Sequence, residues 1–95
     1  MNDLKERVEK YIEIEKNAFD KLKIGVPPGS YLEGSARDFL FMAKSYYNDA
    51  IFFKKKGDLV NALAALNYSY GWIDAGVRIG LLDGGDDHRL FTHFK

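Results

Sequence analysis

Three carboxylate residues, Glu15, Asp49 and Asp74, lie on or beside the apolar stripes of segments whose hydrophobic periodicity is helical. Burial raises the pKa of a carboxyl group, and a group with a raised pKa can act as a general acid or base. Two carboxylates brought together can also bind a divalent metal ion. Arg78 follows Asp74 at the four-residue spacing of an ion pair on one helix. These four residues form the candidate polar site. If the protein is an enzyme, at least two of these side chains are expected to meet in one cleft that solvent can reach.

A structural role for the same residues is the alternative interpretation. Asp49 then accepts hydrogen bonds from tyrosine hydroxyl groups, Asp74 pairs with Arg78, and Glu15 extends its carboxylate from the apolar stripe to the surface. The sequence contains no cysteine, no Gly-x-Ser-x-Gly, no phosphate-binding loop and no Glu-x-x-His pair on a helix. It therefore identifies no catalytic, cofactor-binding or metal-binding residue, and it favours a protein that is not an enzyme.

Aromatic residues make up 15% of the chain, and nine of them lie between Phe39 and Trp72. Most fall on inward stripes, where core packing is expected, and a ligand pocket lined by tyrosines and Trp72 is the alternative. Phe41 and Phe52 differ, because they project from the outward side of the second predicted helix, which is otherwise polar. Two phenylalanines on a polar side suggest a contact surface. The candidate interaction surface consists of Phe41, Phe52, Tyr68, Trp72, Phe91 and Phe94.

These side chains need elements to position them, and the periodicity predicts three long helices. The helices span about 3–23, 35–56 and 58–81, and a tail follows at 83–95. Ser35 is the predicted N-cap of the second helix. Gly57 is predicted to end that helix and Asp58 to start the next, so the short turn makes helices two and three antiparallel neighbours. The predicted fold is all-α, a single domain over 1–95 forming an antiparallel up-down-up three-helix bundle with a short C-terminal tail.

The third predicted helix is poor in charge and apolar on two opposed faces. Residues 58–82 carry three charges, whereas residues 1–23 carry twelve. One apolar face contains Leu59, Ala62, Leu63, Leu66, Tyr70, Ile73 and Val77, and the other contains Ala64, Ala65, Tyr68, Trp72, Ala75 and Ile79. A helix with two apolar faces needs two partners. If helices one and two both pack on the first face, the second face must meet another chain.

Length and charge limit the classes of protein that remain. The chain has 95 residues, enough for one domain, and its formal net charge is zero. Nucleic-acid binding is not expected, because it needs a wide basic stripe. No run of about 18 uncharged apolar residues predicts a membrane span, and no apolar leader precedes the first helix, so a cytoplasmic location is expected. His88 and His93 match no common metal-ligand spacing, so no cofactor is expected.

Residues 43–50, residues 56–58 and above all the run ALAALNYSYGWIDAG at 62–76 resemble a family of short archaeal all-helical proteins. That family is labelled only as a domain of unknown function, and the resemblance covers about residues 1–82. It implies an all-helical fold and an archaeal cytoplasmic origin, and it carries over no catalytic residue. The helical hairpin is also similar to small ribonuclease domains, but their Arg and His are spaced differently from Arg89 and His93.

The preferred functional prediction is a non-enzymatic protein-interaction or assembly module. Its expected partner is a second copy of the chain, with a dimer favoured, or another protein. The alternative is a small-ligand-binding or RNA-processing domain that uses the candidate polar site in a pocket between helices.

Overall fold

A computed structural model of the chain describes residues 3–85. Its elements are α1 (Asp3–Lys21), β1 (Lys23–Ile24), α2 (Glu33–Lys55), α3 (Leu59–Arg78) and β2 (Leu82–Asp83). The all-α fold with three helices is confirmed. The structure also contains a pair of two-residue strands that was not predicted. Most of the predicted tail, including Phe91 and Phe94, lies outside the described residues.

The turn between α2 and α3 has the predicted conformation. Gly57 has a φ of 79°, the left-handed conformation that ends a helix. The Asp58 carboxylate accepts a hydrogen bond from the backbone N–H of Asn61 at 3.1 Å and so caps α3. Across the hairpin, the ring of Tyr46 stacks on that of Tyr68, as expected where the two helices run antiparallel.

The start of α2 differs from the prediction. The helix begins at Glu33 and Leu32 precedes it, so the prediction that Ser35 is the N-cap is wrong. Instead, the Glu33 carboxylate reaches back and accepts a hydrogen bond from the backbone N–H of Gly29 at 2.8 Å. Arg37 donates to the same carboxylate from one turn further on. The cap residue Leu32 makes no side-chain hydrogen bond, and the Glu33 carboxylate instead ties the preceding loop to the first turn, where the helix dipole favours an acidic residue.

A short antiparallel strand pair joins the segments that follow α1 and α3. Lys23 lies opposite Asp83, and Ile24 lies opposite Leu82. Gly25 extends the pairing by donating its N–H to the carbonyl of Leu81 at 2.8 Å. Both helices end earlier than predicted. The strand residues Lys23 and Ile24 follow soon after α1, whereas α3 ends at Arg78 because Gly80 adopts a positive φ of 84° two residues later. Hydrophobic periodicity missed the pair because two residues are too few to produce an alternating pattern.

The core lies where α1 crosses the α2–α3 hairpin, and it has two clusters of buried residues. The first contains Val8, Ala50, Ala62, Ala65 and Leu66, and the second contains Ala18, Ala43 and Ile73. The first cluster joins Val8 of α1 to the first half of α3, and the second joins Ala18 of α1 to Ile73 further along α3. The buried alanines of α2, spaced seven apart, keep the helices of the hairpin close together.

Within residues 3–85, no helix combines the length and apolar content needed to cross a membrane.

Candidate functional site

One face of α3 is exposed along the whole helix, and we call it the α3 outer face. It consists of Val60, Asn61, Ala64, Asn67, Tyr68, Gly71, Ala75, Arg78 and Ile79. The large side chains of Val60, Tyr68 and Ile79 are 70%, 63% and 64% exposed. Arg78 is the one charged residue of this face, and its Nε donates to the Asp74 carboxylate at 2.9 Å. Large apolar side chains exposed on one helix face can mark a contact with another molecule.

A groove of about 530 Å³ opens where the α3 outer face meets α2. Its lining residues are Phe39, Asn67, Tyr68, Gly71, Trp72 and Ala75. The rings of Phe39 and Trp72 meet edge to face, with 5.0 Å between centroids. Tyr68 stacks on Tyr46, also with 5.0 Å between centroids and an interplanar angle of 19°. These ring contacts hold the groove walls in place, and Asn67 supplies a polar side chain to the lining.

Gly71 lies in this groove and has no structural reason to be glycine in a single chain. It is inside α3, it is not among the glycines with positive φ, and an added Cβ would meet nothing within 4 Å. Glycine in the middle of a helix is about 0.5–1 kcal/mol less stable than alanine. Gly76 is different, because a Cβ there would lie 2.6 Å from Cδ1 of Leu82. The single chain therefore explains Gly76 and leaves Gly71 unexplained.

Phe41 and Phe52, two further residues of the candidate interaction surface, lie apart from the groove. Phe41 and Phe52 are 66% and 53% exposed, on the side of α2 away from Phe39. The Nζ of Lys56 lies 4.8 Å from the centroid of the Phe52 ring, so a cation covers part of that ring. Phe41 and Phe52 thus belong to a second surface, on the back of α2.

Glu15 is the buried member of the candidate polar site. Its side chain is 1% exposed, and neither carboxylate oxygen has a hydrogen-bond partner among residues 3–85. Burial raises the pKa of Glu15 to about 8, although the nearby hydroxyl of Ser69 opposes the rise. That hydroxyl donates its own proton to the carbonyl of Ala43 at 2.8 Å. The expectation that Glu15 extends to the surface is wrong, because α2 and α3 close over its carboxyl group.

The remaining polar candidates lie in different surroundings. Asp49 is exposed on α2, whereas Asp74 forms the predicted ion pair with Arg78. The lining of the groove contains none of the four candidate polar residues Glu15, Asp49, Asp74 and Arg78. Within the described part of the chain, no group of three or more His, Asp or Glu side chains is placed to hold a metal ion. His88 and His93 lie outside the described residues.

Residues 10–82 match the family described as a protein of unknown function, DUF357. The chain belongs to the DUF357 family. The match includes most of α1, both helices of the hairpin and the first residue of β2. No curated protein and no solved structure matches the chain.

The description of the DUF357 family assigns no activity, so a function for this chain has to be inferred from its geometry. The sequence identified Tyr68 and Trp72 in advance, because they fall on the second apolar face of the third helix. It missed Phe39 and Gly71 as groove residues. The signal for Gly71 was a glycine inside a helical pattern, which either weakens the helix or marks a close approach by another group.

Proposed function

We propose that this chain is a non-enzymatic protein-interaction module that forms a homodimer through the α3 outer face. The observation that carries the proposal is the exposure of this face along the length of α3, with a single charged residue on it. The first apolar face of α3 packs against α1 and α2, so a second partner is needed for the outer face. A second copy supplies an apolar face that matches it in extent.

The expected affinity follows from the size of the surface. A helix of 20 residues is about 30 Å long, so its exposed face is smaller than a standard interface of about 800 Å² per partner. The gain comes mainly from three large side chains on each copy, those of Val60, Tyr68 and Ile79. We therefore expect a dimer with a dissociation constant in the micromolar range.

Sedimentation velocity over a series of concentrations tests this proposal. The wild-type chain is expected to change from monomer to dimer between low and high micromolar concentrations. Tyr68→Ser is expected to shift that change to higher concentration, because it removes a large apolar side chain from the face. Phe41→Ser is the matched control, since Phe41 is equally exposed but lies on the back of α2. A wild-type chain that stays monomeric at hundreds of micromolar contradicts the proposal.

Small-ligand binding is the second candidate function, and the groove is the observation that favours it. Its volume of about 530 Å³ falls in the usual range for small-molecule sites, and its walls are aromatic. A flat apolar ligand fits this lining, and quenching of Trp72 fluorescence in a monomeric variant measures its binding. RNA processing by the candidate polar site has less support, because none of those residues lines the groove. The cytoplasmic location and a different protein as partner stay predictions.

A further inference from the structure

Most exposed positions of the α3 outer face form pairs about the midpoint of the helix. The midpoint lies between Ser69 and Tyr70, and four pairs of exposed residues lie at equal distances on either side of it, one of which, Asn61 and Arg78, is polar and unequal in size. The outermost pair is Val60 and Ile79, the middle pair is Ala64 and Ala75, and the central pair is Tyr68 and Gly71. The outer and middle pairs match in size, and the central pair combines a large ring with an absent side chain.

Such pairs of positions match the contacts that two identical chains make about a two-fold axis. In a contact between identical chains about a two-fold axis, residue i of one copy meets residue j of the other, and j meets i. Two α3 helices that cross antiparallel at the midpoint bring the members of each pair face to face. The alanines allow the backbones to approach, and each Tyr68 ring lies opposite a Gly71.

We propose that a second copy of this chain packs its α3 antiparallel on the first, so that each Tyr68 ring enters the other copy's groove over Gly71. This inference rests on the proposed function and specifies how the two copies meet.

The groove is suited to a tyrosine side chain. The rings of Phe39 and Trp72 form an aromatic wall, and the missing side chain of Gly71 leaves space beside it. A buried tyrosine hydroxyl needs a hydrogen-bond partner, and Asn67 in the lining supplies one. The Tyr68 ring is already held by its stack on Tyr46, so little freedom is lost on binding.

The charges favour the antiparallel arrangement over the parallel one. Arg78 is the only charged residue of the α3 outer face, and it already pairs with Asp74. In the antiparallel arrangement Arg78 lies beside Asn61 of the other copy, near the acidic cap residue Asp58. A parallel arrangement with the same register would place the two Arg78 side chains together, where like charges repel.

Cysteine cross-linking tests the register, because the natural chain contains no cysteine. The full chain is prepared as two single variants, Ala64→Cys and Ala75→Cys, and each is oxidised alone and in an equal mixture. The antiparallel arrangement predicts a disulfide between the two different variants, since facing small residues bring the Cα atoms within about 7 Å. Cross-linking of each variant mainly to itself, or no cross-link in a sample that sedimentation identifies as dimeric, overturns the inference.

A second measurement uses the space at Gly71. Gly71→Leu is expected to raise the dissociation constant of the dimer by about tenfold or more, because the leucine occupies the position of the incoming ring. Gly34→Leu is the matched control, since Gly34 is also an exposed helical glycine with nothing within 4 Å of an added Cβ. Equal affinities for the two variants overturn the inference and leave the proposed function in place. A monomeric wild-type chain is the separate result that contradicts the proposed function itself.

Discussion

Glu15 places a carboxyl group at the junction of three helices, and that position determines its chemistry. Desolvation penalises the charged form, so the pKa of Glu15 rises from 4.5 to about 8 and the group keeps its proton near neutral pH. Tyr47 on α2 is affected in turn, because burial and then the charge of Glu15 raise its pKa. From α3, the uncharged hydroxyl of Ser69 faces the carboxyl group.

The stability of the protein is expected to fall between about pH 4.5 and pH 8 because of Glu15. In this interval the folded chain keeps the proton and the unfolded chain loses it, so rising pH favours unfolding. The contribution of Glu15 to the free energy of unfolding is fully present below pH 4.5. Its loss by about pH 8 is on the order of a few kcal/mol. Urea unfolding at a series of pH values measures the free energy of unfolding and checks this expectation.

Glu15→Gln is the variant that isolates this effect. It cannot ionise, so its free energy of unfolding is expected to change less with pH than that of the wild type and to exceed it above pH 8. Glu33→Gln is the control, because the N–H of Gly29 and then Arg37 lower the pKa of Glu33. The stability that Glu33 contributes is lost only as pH falls below 4.5, outside the interval of Glu15. An unchanged pH slope in Glu15→Gln contradicts the assignment.

The α2–α3 hairpin is the element that shapes the groove, and its turn determines how the two helices face each other. The left-handed Gly57 ends α2, and Asp58 caps α3 through the N–H of Asn61. The side-chain amide of Asn61 also donates to the other Asp58 oxygen at 2.7 Å. The start of α3 is thus held by side-chain as well as backbone hydrogen bonds.

Asp58→Ala is expected to lower the free energy of unfolding by about 1 kcal/mol, since it leaves the first N–H groups of α3 without their cap. Thermal or urea unfolding monitored by circular dichroism measures the change. Asp49→Ala serves as the control, because Asp49 is an exposed residue within α2 and caps no helix. Equal losses in the two variants would mean that the cap contributes nothing specific.

The strand pair holds the segments that follow α1 and α3 together through a close backbone contact. A Cβ added at Gly25 would lie 2.7 Å from the carbonyl oxygen of Gly80, which belongs to the backbone and has little room to move. We expect Gly25→Ala to lower the free energy of unfolding by about 1–3 kcal/mol, as overpacking usually does. Gly34→Ala, where an added Cβ meets nothing, is expected to leave stability unchanged or to raise it slightly. A tolerated Gly25→Ala would mean that the strand pair is not needed for stability.

At the scale of the whole molecule, the two faces of α3 have different surroundings. One of its faces forms the core with α1 and α2, and the other stays exposed in the single chain. If the chain dimerises through the outer face as proposed, that association stabilises the folded state by mass action.

The melting temperature of the wild-type chain is expected to rise with protein concentration for this reason. Gly71→Leu is expected to lose most of that dependence, and Gly34→Leu is expected to keep it. Scanning calorimetry over a range of concentrations measures the difference. A wild-type melting temperature that does not depend on concentration contradicts the coupling.

Local sequence patterns determined the three helices of this protein, the turn at Gly57 and Asp58, and the two apolar faces of α3. Each depends on residues close together in the chain, so periodicity and capping preferences are sufficient to predict it. The tertiary structure alone decided that Glu15 is buried, that the ends of α1 and α3 pair as strands, and that Phe39 joins Gly71 in a groove. Those outcomes depend on which distant residues meet when the helices pack, and a periodic pattern on one helix does not contain that information.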